Sequence, residues 1–159
     1  MIQKATAADL PQILEIYENA RTFMAQNGNP NQWGKIYPPA EITTEDVEKG
    51  ILYVLRDSEG IYGVFAFILG DDPTYGVIYD GSWASDVPYG AIHRVASAGK
   101  KGGVVKEIVD FCAKVTPHLR IDTHEDNKPM QRAVTACGFT YRGIIHTHNG
   151  TPRLAYERT

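Results

Sequence analysis

The sequence predicts a mixed α/β fold: one central mixed sheet flanked by helices, in a single domain spanning residues 1–159. Three observations predict it. Apolar residues recur at helical and strand spacing in the order β-α-α-β-β-(β)-β-α-β-α-β-β. Antiparallel hairpin signals come first, and a helix-bearing half follows. A glycine-and-lysine turn after the fourth main strand opens directly into a helix.

Residues 2–5 read as a short strand. Thr6 is a good N-cap, and Asp9 puts a carboxylate in the first helical turn. Leu10, Ile13, Leu14, Tyr17, Ala20 and Met24 then recur at helical spacing to about residue 26, where Asn27-Gly28-Asn29-Pro30 ends the run. A loop rich in aromatics, amides and prolines follows, with Asn31, Gln32, Trp33, Tyr37, Pro38 and Pro39. Thr44 is expected to cap a short acidic helix over 45–49 that Gly50 stops. Residues 51–56 and 61–69 are strands joined by the hairpin turn Ser58-Glu59-Gly60.

Residues 75–79 are expected to add a strand, before an irregular stretch through Trp83 and Tyr89. Residues 91–97 form the fourth main strand, and a helix covers about 103–115, with Val104, Ile108, Phe111 and Cys112 on one face. Residues 119–123 are a short strand. Asn127 caps the next helix, with Pro129 in its first turn and Gly138 at its end, the expected asymmetry. Strands over 139–146 and 152–157 close the chain, joined by Asn149-Gly150, a strong hairpin signal.

The composition excludes some functions. A formal net charge of −3 argues against nucleic-acid binding, which needs a basic face. No apolar run approaches the roughly 20 residues of a membrane helix, and no signal peptide precedes the first strand, so a cytoplasmic protein without a membrane partner is expected. Cys112 and Cys137 have neither metal-like nor C-x-x-C spacing and fall on apolar helical positions, unlike an exposed nucleophile. The five histidines lack metal-ligand spacing, so no metal is expected.

The turn carries the chemistry. Gly99, Gly102 and Gly103 flank Lys100 and Lys101, and the helix that starts there points free N–H groups back at the turn. Those donors, the helix dipole and two lysines suit a phosphate. The residues alone therefore point to a phosphate-bearing cofactor seated on a backbone cradle at the end of a strand. A dinucleotide site would place its glycine turn after the first strand, an order this chain does not have.

With these features the chain resembles the GCN5-related N-acetyltransferase (GNAT) family over nearly its whole length. The motif match is Lys100-Lys101-Gly102-Gly103-Val104-Val105, where Lys100 replaces the usual Arg or Gln and Val105 the usual small residue. The second match is Asn127 followed by a helix and a closing Gly138-Phe139. The resemblance implies the family's fold and acetyl transfer from acetyl-coenzyme A to an amine. It implies a coenzyme site on Val95, Ala96, Ser97, the motif residues 100–105, Asn127 and Met130, and an acceptor wall at Trp33 and Tyr37. The tyrosine that many members use to protonate the leaving thiolate aligns with Val134, so the implied alternative is a coenzyme A-binding or sensing module with little turnover. Tyr141 and Tyr156 are candidate substitutes. The implied partner is a small-molecule amine of unread identity, and by analogy with the family a homodimer is open.

The reaction the resemblance implies needs a donor for the thioester carbonyl and a base for the amine. A strand N–H near residues 95–97 is the expected donor. His93, which alternation would group with Val95 and Ser97, and His124, with Asp122 two residues earlier on its face, are the candidate bases. Each is alternatively a hydrogen-bonded structural residue. His118, His146 and His148 are expected to face solvent.

Overall fold

The structure, a computed structural model, describes residues 1–159. Met1–Phe67 with His93–Val104 forms one compact unit, and Ile68–Ile92 with Val105–Thr159 a second.

In the first unit, β1 (Ile2–Lys4), β2 (Leu52–Asp57) and β3 (Gly60–Leu69) pair antiparallel, with Gln3 opposite Val54 and Val54 opposite Val64. The β-branched and aromatic content of β2 and β3 suits a pleated surface. Helix α1 (Leu10–Gln26) follows a 3₁₀ turn, Ala7–Asp9, in which the Asp9 carboxylate accepts from the Thr6 N–H at 2.9 Å. Its buried stripe, Ile13, Ile16 and Tyr17, packs in one core with Leu52, Val54, Ile61, Val64 and Ala66.

Helix α2 spans Ala40–Glu48, not the expected 45–49. Pro39 enters it in extended conformation (φ −71°, ψ 163°), so the Pro38-Pro39 pair sets the start and Thr44 lies inside the helix. The buried face is Thr43 and Asp46, whose polar side chains hid the helical period from an apolar count.

Strand β4 (Gly90–Ser97) passes from the second unit into the first. Helix α3 (Val104–Val115), β5 (Leu119–Thr123), α4 (Lys128–Ala136), β6 (Thr140–His146) and β7 (Pro152–Arg158) follow. The seven strands run in the order β1-β2-β3-β4-β5-β7-β6, with β4 and β5 parallel and the hairpin strands antiparallel. A central mixed sheet flanked by helices is the predicted class.

One local expectation is corrected. No strand covers 75–79: the segment is a 3₁₀ turn at Pro73–Tyr75 and a single bridge from Tyr79 to Ile144. Asp72 caps that turn by accepting from the Thr74 N–H at 2.9 Å, and the buried Tyr75 anchors it. The last hairpin turns through Asn149-Gly150, as expected. The Gly150 N–H donates to the Thr147 carbonyl and the Thr147 N–H to the Thr151 carbonyl, and Gly150 takes the left-handed conformation (φ 80°).

Candidate active site

The glycine turn has the shape its residues predict. Gly99 (φ 75°) and Gly103 (φ 77°) are left-handed, and a methyl group built on Gly99, Gly102 or Gly103 meets nothing within 4 Å. The Ser97 hydroxyl accepts from the Gly99 N–H at 3.1 Å and closes the turn. Val104, the first residue of α3, is buried against the Gly63 side of β3, so its side chain turns away from the bend; Val105 is half-buried. Backbone amides thus border open space at a helix start, a fit to an anionic group such as a phosphate. The two lysines differ. Both are exposed, but Lys101 Nζ lies 3.4 Å from Asp57 and 3.8 Å above the Tyr62 ring, whereas Lys100 reaches Asp57 only through its field.

Strand β4 pairs with β5 only over residues 90–92, matched to Leu119, Arg120 and Ile121. Two residues later Arg94 takes φ 51°. A left-handed backbone costs a non-glycine residue about 1–2 kcal/mol, and it interrupts the alternation expected to group His93 with Val95 and Ser97. Instead Ala96 is buried, His93 and Val95 are half-buried, and Ser97 is exposed. Three side chains converge on the outlier. The Tyr17 hydroxyl donates to the Arg94 carbonyl at 2.8 Å. The Arg94 guanidinium donates to both oxygens of Asp46, at 2.7 and 3.0 Å, and to the Tyr37 hydroxyl at 3.4 Å. Burial pushes the Asp46 carboxyl up, and the Arg94 guanidinium opposes that shift. Burial likewise pushes the Tyr17 phenol far up, so it serves as a donor.

Trp33 belongs to this cluster. Its ring stands edge-on to Tyr17 (centroids 5.6 Å apart) and to Tyr37 (6.3 Å), which fixes the aromatic loop in the first unit. Trp33 and Tyr37 are both half-buried.

The second unit arranges the other candidates differently from the sequence reading. The Asp122 carboxylate accepts from the Tyr75 hydroxyl at 2.7 Å. His124 Nδ1 accepts from the Asp126 N–H at 3.0 Å, so the turn that follows β5 sets the ring. A partner 47 residues away in the chain took the carboxylate, which period-two alternation cannot reveal. Asn127 caps α4 as predicted, its Oδ1 accepting from the Met130 N–H at 3.2 Å. Val134 is fully buried in the same helix. Tyr156 is buried edge-on against Tyr141, with centroids 5.7 Å apart, and burial raises its phenol. Burial pushes the Cys112 thiol up to about 12, which removes it as a nucleophile.

His118 was expected at the surface and is buried. It bridges the Val87 carbonyl (3.0 Å) and the Glu157 carboxylate (2.6 Å). Arg120 lies between the Trp83 and Tyr89 rings, 4.1 and 4.0 Å from their centroids, and donates to Glu157 and to the Ser85 carbonyl. The signal in the sequence was the alternation His118, Arg120, Asp122 across a short strand, which puts three polar side chains on one face.

The seven-stranded order and the glycine turn between β4 and α3 define the class. The fold is that of the GCN5-related N-acetyltransferases, the family the sequence resembles. A GNAT-family acetyltransferase from Streptococcus agalactiae 2603 is similar over 99% of this chain and 94% of its own, with 28% identity and a TM-score of 0.90. A ribosomal-protein-alanine N-acetyltransferase from Brucella melitensis shares the fold at 17% identity and a TM-score of 0.66, over 99% of this chain and 98% of its own. So does a phosphinothricin acetyltransferase from Sinorhizobium meliloti, solved with acetyl-coenzyme A, at 14% identity and a TM-score of 0.64, over 99% and 86%. No family model matches the chain, and no curated protein matches it by sequence. No helix is long and apolar enough to cross a membrane.

Proposed function

We propose that this chain binds acetyl-coenzyme A and transfers its acetyl group to the primary amine of a small-molecule acceptor. The observation that carries the reading is the open, left-handed glycine turn at the start of α3, directly after a strand whose pairing with β5 ends at Ile92. The coenzyme supplies an activated thioester: the amine nitrogen forms the new C–N bond, the C–S bond breaks, sulfur leaves as thiolate, and the amine proton passes to a base or to water. The amides of the turn hold the pyrophosphate, and Lys100 adds charge. The main chain of residues 95–97 holds the pantetheine arm and donates to the thioester carbonyl. Trp33 and Tyr37 wall the acceptor. Attack is direct, since neither cysteine is an activated nucleophile. His93 and His124 are the candidate bases.

Calorimetry with acetyl-coenzyme A tests binding, and no heat at millimolar coenzyme refutes the proposal. Thiol release against an amino acid, a polyamine, an aminoglycoside and a peptide with a free N-terminus tests transfer. The buried Val134 at the aligned tyrosine position favours a second reading, a coenzyme-binding module. Binding without thiol release above hydrolysis selects it.

A further inference from the structure

We infer that Tyr17 and Asp46 are positioning residues, which hold Arg94 in its left-handed conformation and thereby aim the strand amides that polarise the thioester. The inference rests on the function proposed above. Glycine, asparagine and aspartate adopt positive φ readily; arginine does not, and an outlier of this kind persists only where its surroundings over-determine it. Here the determinants come from separate elements. Tyr17 projects from α1 and is fully buried, and its hydroxyl is committed to the Arg94 carbonyl at 2.8 Å. Asp46 projects from α2 and grips the guanidinium with both oxygens.

Peptide planarity carries that grip to the site. The carbonyl of Arg94 and the N–H of Val95 belong to one rigid trans unit and point in opposite directions. A hydroxyl that fixes the carbonyl therefore fixes the N–H, and a carbonyl that accepts a hydrogen bond leaves the amide a stronger donor. The Tyr37 hydroxyl, 3.4 Å from Arg94 Nη1, and Trp33, edge-on to Tyr17 and Tyr37, tie the aromatic loop to the same residue. A buried ion pair is a weak source of stability compared with apolar packing, so stability alone is a poor reason for Asp46 and Arg94 to occupy this place.

The test uses glycine as the rescuer, since it takes positive φ without a clamp. Asp46→Asn and Tyr17→Phe are each expected to lower kcat for thiol release about tenfold or more, measured with acetyl-coenzyme A and the fastest amine of the panel. The dissociation constant for coenzyme A should stay within about twofold in both variants. Arg94→Gly added to Asp46→Asn removes both charges together and is expected to restore kcat to within about threefold of the native protein. A loss that glycine does not restore overturns the inference, because Asp46 then acts by some route other than the backbone at 94. Unchanged kcat in both single variants also overturns it. If Asp46→Asn does not fold, Tyr17→Phe, which deletes one oxygen atom, carries the test by the same split of kcat from coenzyme affinity. Absence of thiol release by the native protein overturns the proposed function and this inference with it, whereas native turnover without rescue overturns the inference alone.

Discussion

Glu157 lies against His118 with 2.6 Å between Oε2 and Nε2, and both side chains are buried. The contact joins the last strand to the residue before β5, and the same carboxylate accepts from the Ala84 N–H at 2.7 Å and pairs with Arg120 and Arg142 at 3.3 and 3.2 Å. One acidic side chain thus gathers a backbone amide, a histidine and two arginines, and pins the irregular stretch through Trp83 and Val87. Burial raises the Glu157 carboxyl, but the Ala84 amide, His118 and Arg120 outweigh it and hold the group below the ordinary glutamate range. The unfolded chain therefore takes up the proton first as pH falls. The stabilisation is full above the unfolded pKa of about 4.3 and is lost as pH drops through the lower folded value. Glu157→Gln leaves the buried Arg120 guanidinium without its anion and is expected to cost about 3 kcal/mol at neutral pH. Urea unfolding across the acid range checks this, and the variant should show a flatter acid limb than the native protein.

The glycine turn, the proposed coenzyme cradle, separates its two lysines. Lys101 is held by Asp57 and the Tyr62 ring, so Lys100 is the cation available to a phosphate. Lys100→Ala is expected to weaken coenzyme A binding about threefold to tenfold, more than Lys101→Ala does, with a shallower salt dependence. Gly103→Ala adds left-handed strain of about 1 kcal/mol and a methyl group to the open cradle, and should weaken binding about tenfold. Calorimetry at two salt concentrations reads all three variants.

Gly81 is a packing constraint. A Cβ built there falls 1.9 Å from the Arg142 carbonyl oxygen, against backbone that cannot yield as a flexible side chain does. Gly81→Ala is expected to destabilise the protein by about 2–3 kcal/mol, through displacement of the segment that bridges Tyr79 to Ile144. A fall in the urea midpoint at unchanged slope is the expected readout.

Trp33 tests the acceptor wall. Trp33→Ala removes two edge-on ring contacts worth about 0.5–1.5 kcal/mol each. If the ring lines the acceptor site, the KM for the amine should rise about tenfold while the KM for acetyl-coenzyme A stays put. Equal rises in both constants would show instead that Trp33 acts through the fold.

What the sequence by itself determined was the local chemistry. Asn127, Pro129 and Gly138 bracketed α4 within a residue, the glycine turn lay where its residues placed it, and the strand order led to the fold the structure has. These signals act within a few residues, through φ preferences, caps and apolar period, so they can be read along the chain. Tertiary structure decided which polar atoms meet. Tyr17 and Arg94 lie 77 residues apart, Asp46 and Arg94 48, Tyr75 and Asp122 47, His118 and Glu157 39. Asp122 met Tyr75, His118 went inward, and Arg94 left the strand's alternation, because buried donors and acceptors must find partners wherever the fold brings them. That requirement is satisfied in three dimensions and leaves no period in one.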